Sequence, residues 1–158
     1  MFKPTRIAVL IFASLFMFGH TQVFAQHGHG HGATHDAMPT QDVLVEGVVV
    51  GFAVMTNTDH RKMLRQMKMK DDIEAGTTHN ITVTLKDQKT REPITDANVG
   101  LRVVDPSGSD QIKTLRFEPS MNSYDGYFNM PAKGKYQILV LAKYADQKKT
   151  AGIYHEVK

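Results

Sequence analysis

The sequence predicts an all-β protein, an antiparallel β-sandwich of about seven strands interrupted by one short Met-rich helix. Three observations carry this. Apolar and polar residues alternate at period two through most of residues 77–158. Turn signals built on Gly, Pro, Asp and Ser recur at intervals of about eight to twelve residues. No βαβ alternation, GxGxxG or GxxxxGK(S/T) occurs, which leaves nucleotide-binding α/β folds without support.

Residues 1–25 precede the sandwich and read as a secretory signal. Lys3 and Arg6 lead into the apolar run Ile7 to Phe18, and Val23 and Ala25 place small residues at the −3 and −1 positions of a cleavage site. The run is about twelve residues, short of the roughly twenty that cross a bilayer. No later stretch is apolar enough to span one, so the expected product is periplasmic or secreted. Nineteen Lys and Arg oppose sixteen Asp and Glu, a formal charge of +3 that is too weak to argue for nucleic acid. The signal contains Lys3 and Arg6 and no acid, so its removal lowers the charge further. The 158 residues contain no Cys. Disulfide scaffolds, thiolate zinc sites, iron–sulfur clusters, cysteine nucleophiles and diacylated lipoproteins are excluded.

Residues 26–41, QHGHGHGATHDAMPTQ, read as a disordered tail. His27, His29, His31 and His35 give it four imidazoles within nine residues, a composition suited to borderline ions such as Cu(II), Ni(II) or Zn(II). The globular domain is expected over 42–158. Leu44 to Met55 reads as a single Val-rich strand, bent or bulged at Gly47 and Gly51. Thr58 and Asp59 offer caps for a helix from His60 to Met69. Ile81, Val83 and Leu85 face one way, and Asn80, Thr82 and Thr84 the other. Val99 to Val103 forms the next strand and Asp105-Pro106-Ser107-Gly108 a turn. Gln111 to Phe117 alternates weakly. Tyr124 to Met130, Tyr136 to Ala142 and Ala151 to Val157 complete the set.

Several of these residues also resemble a known group of modules. Pro93-Ile94-Thr95-Asp96-Ala97-Asn98-Val99, Asp105-Pro106-Ser107-Gly108, Tyr127-Phe128 and Gly134-Lys135-Tyr136 look like the YtkA-like and FixH-like immunoglobulin-type modules of exported bacterial proteins. They are more loosely similar to CopC-type periplasmic copper carriers. The resemblance covers residues 77–158 and implies an immunoglobulin-like sandwich; through the CopC-type likeness it implies copper as a partner. The N-terminal copper-binding His of CopC-type proteins has no match here unless Gln26-His27 stands in.

The helical insertion carries the candidate chemistry. His60, Met63 and Met67 recur at i, i+3 and i+7 on one helical face, with Met69 two beyond. Thioethers are soft and suit Cu(I) or Ag(I), and Met is the soft ligand available to an exported chain without Cys. Met63, Leu64 and Met67 serve equally as an apolar stripe docking the helix. Parity places His79 with Ile81 and Val83, and His155 with Ile153 and Val157. Met121 sits in a loop, and a meeting of that loop with the helix would bring His79, Met121, Met63 and Met67 together. Asp71, Asp72 and Glu74 are expected to balance the basic helix. No GxSxG, HExxH or SxxK is present, so no enzyme is expected. The expectation is a non-enzymatic soft-metal protein, with copper as the ion. The alternative is an interaction module that docks a periplasmic or membrane partner through an edge strand or the basic helix.

Overall fold

The computed structural model describes residues 40–158. The expected signal and the histidines His27, His29, His31 and His35 lie outside the described residues. Two antiparallel sheets pack face to face. The first contains β1 (Thr40–Val45), β2 (Val48–Thr56), β3 (His79–Asp87), β7 (Ser123–Phe128) and β6 (Arg116–Glu118), in that spatial order. The second runs β5 (Asp110–Thr114), β4 (Asn98–Val104), β8 (Gly134–Tyr144) and β9 (Gln147–Val157). One helix, α1 (Asn57–Gln66), follows β2. Among the described residues no helix is long and apolar enough to cross a membrane.

Among the described residues nine strands replace the expected seven, because two expected strands each divide. The run from Leu44 to Met55 is a hairpin, not one bent strand. Glu46 and Gly47 both take positive φ, 44° and 82°, the conformation of a two-residue turn that matches strand twist. Gly51 marks no bulge, since β1–β2 and β2–β3 pairing runs through it unbroken. It leaves room for Thr84 Oγ1, which a Cβ there would meet at 2.5 Å. The segment 111–117 also divides. The chain leaves the second sheet after Thr114, buries Leu115, and joins the first sheet at Arg116. That change of sheet explains its weak alternation. β1 also opens at Thr40, so Thr40 and Gln41 belong to the sandwich and not to the tail.

The core lies between the inner faces. Val50 and Phe52 of β2, Ile81, Val83 and Leu85 of β3, and Phe128 of β7 meet Leu101, Ile138 and Val140 from the opposite sheet. Period-two patterning commits these residues to one face, so register is fixed by burial. Tyr124 ties the core to the crossover between the sheets. Its hydroxyl accepts from Ala97 N–H at 2.9 Å and donates to Ile94 O at 3.1 Å. Tyr124→Phe leaves both backbone groups without that partner. It should cost about 1–3 kcal/mol in urea unfolding, with the denaturant slope unchanged. A loss within a few tenths would show that the crossover holds its place without this hydroxyl.

Candidate functional site

The site grows from the way α1 begins and ends. Thr56 caps it, accepting from Asp59 N–H at 3.1 Å. The helix therefore starts three residues earlier than the expected His60–Met69 and ends at Gln66. The C-terminus folds back on itself: Met69 N–H donates to Leu64 O at 2.8 Å and Lys68 N–H to Arg65 O at 3.1 Å, with Lys68 at φ 56°. This pair of bonds is the Schellman reversal, here built on Lys where Gly is usual. It separates residues that an unbroken helix would hold near one another. Met67 stays on the outside, 45% exposed, while Met69 turns back to line a cavity.

The buried face of α1 is Asn57, His60 and Leu64, and it covers the outer face of the first sheet. Asn80 and Thr82 of β3 and Tyr127 of β7 are buried on that face. The outer positions of a central strand are thus as buried as the inner ones, but polar. Tyr127 donates its hydroxyl proton to Asp72 Oδ1 at 2.9 Å. Its lone pair then accepts from His60 Nε2 at 3.0 Å, so Nε2 holds the imidazole proton. Nδ1 carries the free lone pair, buried and without a partner. Asp72 is anchored in turn by Arg116 of β6.

A cavity of about 340 Å³ opens here, lined by His60, Met69, Met121, Asp125 and Tyr127 among others. Met121 arrives from the turn between β6 and β7, where Met121 N–H donates to Glu118 O at 3.2 Å. Asp125 accepts from Ser123 Oγ at 3.3 Å, while its Oδ1 is buried and unpartnered. Burial pushes its carboxyl above the ordinary range. Burial, reinforced by the bond to Asp72, also raises Tyr127 and keeps it a phenol. The charged groups at the rim include Lys70 and Arg116 as well as Asp72 and Glu118. Among the described residues, the buried side-chain atoms without a hydrogen bond are Asn57 Oδ1, His60 Nδ1, Asn80 Nδ2 and Asp125 Oδ1. All four belong to α1 or to the sheet face beneath it.

The expected ligand set is therefore divided. His60, Met69 and Met121 line one cavity. Met63 and Met67 are not part of its lining. His79 is elsewhere, on the inner face of β3, with its ring 6.3 Å from that of His155. Asp71 pairs with Arg61 of the helix as expected, whereas Asp72 pairs with Arg116 and Glu74 with Lys113. Asp125 and Tyr127 were not among the expected site residues. Their signal is outward parity on a strand crossed by the helix, which becomes visible only once the helix has been placed on the sheet.

Burial holds His60 below its ordinary 6.5, against the pull of Asp72 and Asp71. A histidine held low in the fold contributes stability above its unfolded value, and that stability is lost as pH falls below it. Asp125, held high, works in the opposite sense over the carboxylate range. His60→Gln preserves a donor to Tyr127 and removes the titration. The unfolding free energy of the parent protein, relative to this variant, should fall between about pH 7.5 and 5.5. A difference independent of pH would contradict the buried neutral imidazole.

No protein-family model and no curated protein matches the chain. Solved structures do. A DUF4426 family protein of Pseudomonas aeruginosa is 12% identical, with a TM-score of 0.54 over 75% of this chain and 94% of that one. FetP of uropathogenic Escherichia coli is 9% identical, with a TM-score of 0.56 over 74% of this chain and 92% of that one. A copper-bound variant of FetP is 11% identical, with a TM-score of 0.55 over 73% and 93%. At these identities the likeness is one of fold, and it places the chain among all-β sandwiches.

Proposed function

We propose that this protein is a periplasmic, non-enzymatic carrier of a soft metal ion, with copper as its cargo. His60, Met69 and Met121 would hold the ion as Cu(I). The observation that carries this reading is the buried, unpartnered Nδ1 of His60, in a residue that shares its cavity with two methionines. A lone pair that no protein group uses can go to a metal without breaking a hydrogen bond. The Nε2–H bond to Tyr127 is the kind of outer contact that fixes the tautomer of a ligating histidine. One imidazole and two thioethers form a neutral, soft donor set, which suits a monovalent copper ion. Asp125, whose carboxyl burial raises above the ordinary range, is an acidic group beside these donors that a bound cation would favour in its ionised form.

Further support is indirect. A FetP variant of similar fold is copper-bound, and FetP was expressed in the periplasm. The resemblance of residues 77–158 to exported immunoglobulin-type modules fits the same compartment, and its looser CopC-type likeness fits the same cargo. The signal at residues 1–25 fits export.

The chain from Gln26 to Lys158 should be titrated with Cu(I) against a chromophoric chelator, without oxygen. Met69→Leu and Met121→Leu should each weaken the tight site by about tenfold or more, the scale that outer-shell partners alone reach. Replacing His27, His29, His31 and His35 by Asn should leave that site in place. Asp125→Asn should raise the melting temperature of the metal-free protein, because it removes a buried, half-satisfied carboxyl, yet weaken Cu(I). Binding that vanishes with the four tail histidines and ignores both Met changes would overturn the proposal. The docking module expected as the alternative would then take its place.

A further inference from the structure

His79 and His155 stand apart from the cavity under α1. Each is on the inner face of its sheet: His79 follows the parity of Ile81 and Val83, and His155 that of Ala151 and Ile153. Inner-face positions are otherwise filled by the apolar core. Two imidazoles from opposite sheets thus face each other at one end of the sandwich. Their ring centroids are 6.3 Å apart and their planes cross at 71°.

The surroundings of His79 offer a tautomer that leaves one ring nitrogen bare. Thr78 Oγ1 is 2.9 Å from His79 Nδ1 and accepts from Met130 N–H at 2.7 Å. It also lies 3.5 Å from Phe128 O. The arrangement that uses every donor has Nδ1–H donating to Thr78 Oγ1, and Oγ1–H donating to Phe128 O. Nε2 of His79 is then the bare nitrogen. Among the described residues His155 makes no hydrogen bond through its ring nitrogens, and it lines a cleft of about 220 Å³ with Thr40, Gln41, Phe52 and Val54. Burial keeps both rings below the usual imidazole value, and the nearness of His155 lowers His79 further. Glu156 acts on His155 in the opposite direction.

We propose that His79 and His155 form a second metal site, a cross-sheet clip for a borderline divalent ion such as Zn(II) or Cu(II). A metal about 2.0–2.1 Å from one nitrogen of each ring sets the centroids roughly 5 to 6.4 Å apart, from tetrahedral to linear geometry. The observed 6.3 Å is at the trans end of that range, the arrangement of a square-planar Cu(II), and a tetrahedral Zn(II) draws the rings about 1 Å closer. Among the described residues no third His, Asp or Glu completes a cluster, so water would fill the remaining positions, reached through the cleft beside His155. The hydrogen bond from Nδ1 to Thr78 supplies the outer-shell contact that such ligands carry. The site is independent of the soft-metal reading, because it shares no residue with the cavity under α1. Its consequence is also different. A metal here joins the two sheets and stabilises the folded chain by mass action.

Thermal unfolding with and without Zn(II) tests it. The chain from Gln26 to Lys158 is used with His27, His29, His31 and His35 replaced by Asn, which removes competing imidazoles. Zinc at about a hundred times its dissociation constant should raise the melting temperature by roughly 5 to 10 °C. His79→Gln and His155→Gln should each abolish the rise, whatever their effect on the metal-free melting temperature. His60→Gln should keep it. Nitrogen NMR should show the His79 and His155 rings shifting together at the same zinc equivalent. A zinc response that survives both His79→Gln and His155→Gln, or no response at all, would overturn the clip.

Discussion

The hydrogen bond from His60 Nε2 to Tyr127 is the contact on which the candidate site depends. It fastens the one described helix to the outer face of the first sheet. It also decides which imidazole nitrogen is protonated, and so which is free. Through Tyr127 it reaches Asp72 in the segment that follows the helix, and through Asp72 it reaches Arg116 on β6. Four separate pieces of chain are thereby held around one cavity. The rings of His60 and Tyr127 meet edge to face, with centroids 5.6 Å apart, so the contact adds packing to the polar bond.

A sandwich of this size does not need that arrangement for its stability. Its core is apolar and complete between the sheets. The outer face beneath α1 is buried instead around groups with unmet hydrogen-bonding capacity. Such groups are costly in a dry interior, and a fold optimised for stability alone would replace them with apolar side chains. Their gathering under one helix is the pattern expected where a site gives up stability for binding. The surface ion pairs that pin the connector, Arg61 to Asp71 and Lys113 to Glu74, are exposed and individually weak. They position the connector and contribute little else.

Much of the fold was legible in the sequence because inner-face positions obey a strict period. Ile81, Val83, Leu85, Leu101, Val103, Ile138 and Val140 are all buried as their alternation requires. What failed was continuity. A turn at Glu46-Gly47 resembles a bend within a strand when apolar residues lie on both sides. A change of sheet at Leu115 weakens alternation without breaking it. The site was legible in part. His60, Met69 and Met121 were expected and share a cavity, whereas Met63 and Met67 are outside its lining and His79 belongs to another end. Helical spacing did not carry as far as Met67 because the helix ends at Gln66, through a left-handed Lys68 that has no strong sequence signal, while Met63 lies within the helix beside its buried face. Asp125 and Tyr127 escaped notice because outward parity normally means solvent.

The proposed function requires the cargo ion to be held by the thioethers of the cavity under α1 and not by the histidine-rich segment before the sandwich. X-ray absorption at the copper edge, on the chain from Gln26 to Lys158 loaded with one equivalent of Cu(I), tests it most directly. Two sulfur scatterers and one imidazole nitrogen are expected around the copper, reduced to a single sulfur in either Met69→Leu or Met121→Leu. A shell of nitrogen and oxygen alone, unchanged by both substitutions, would contradict it.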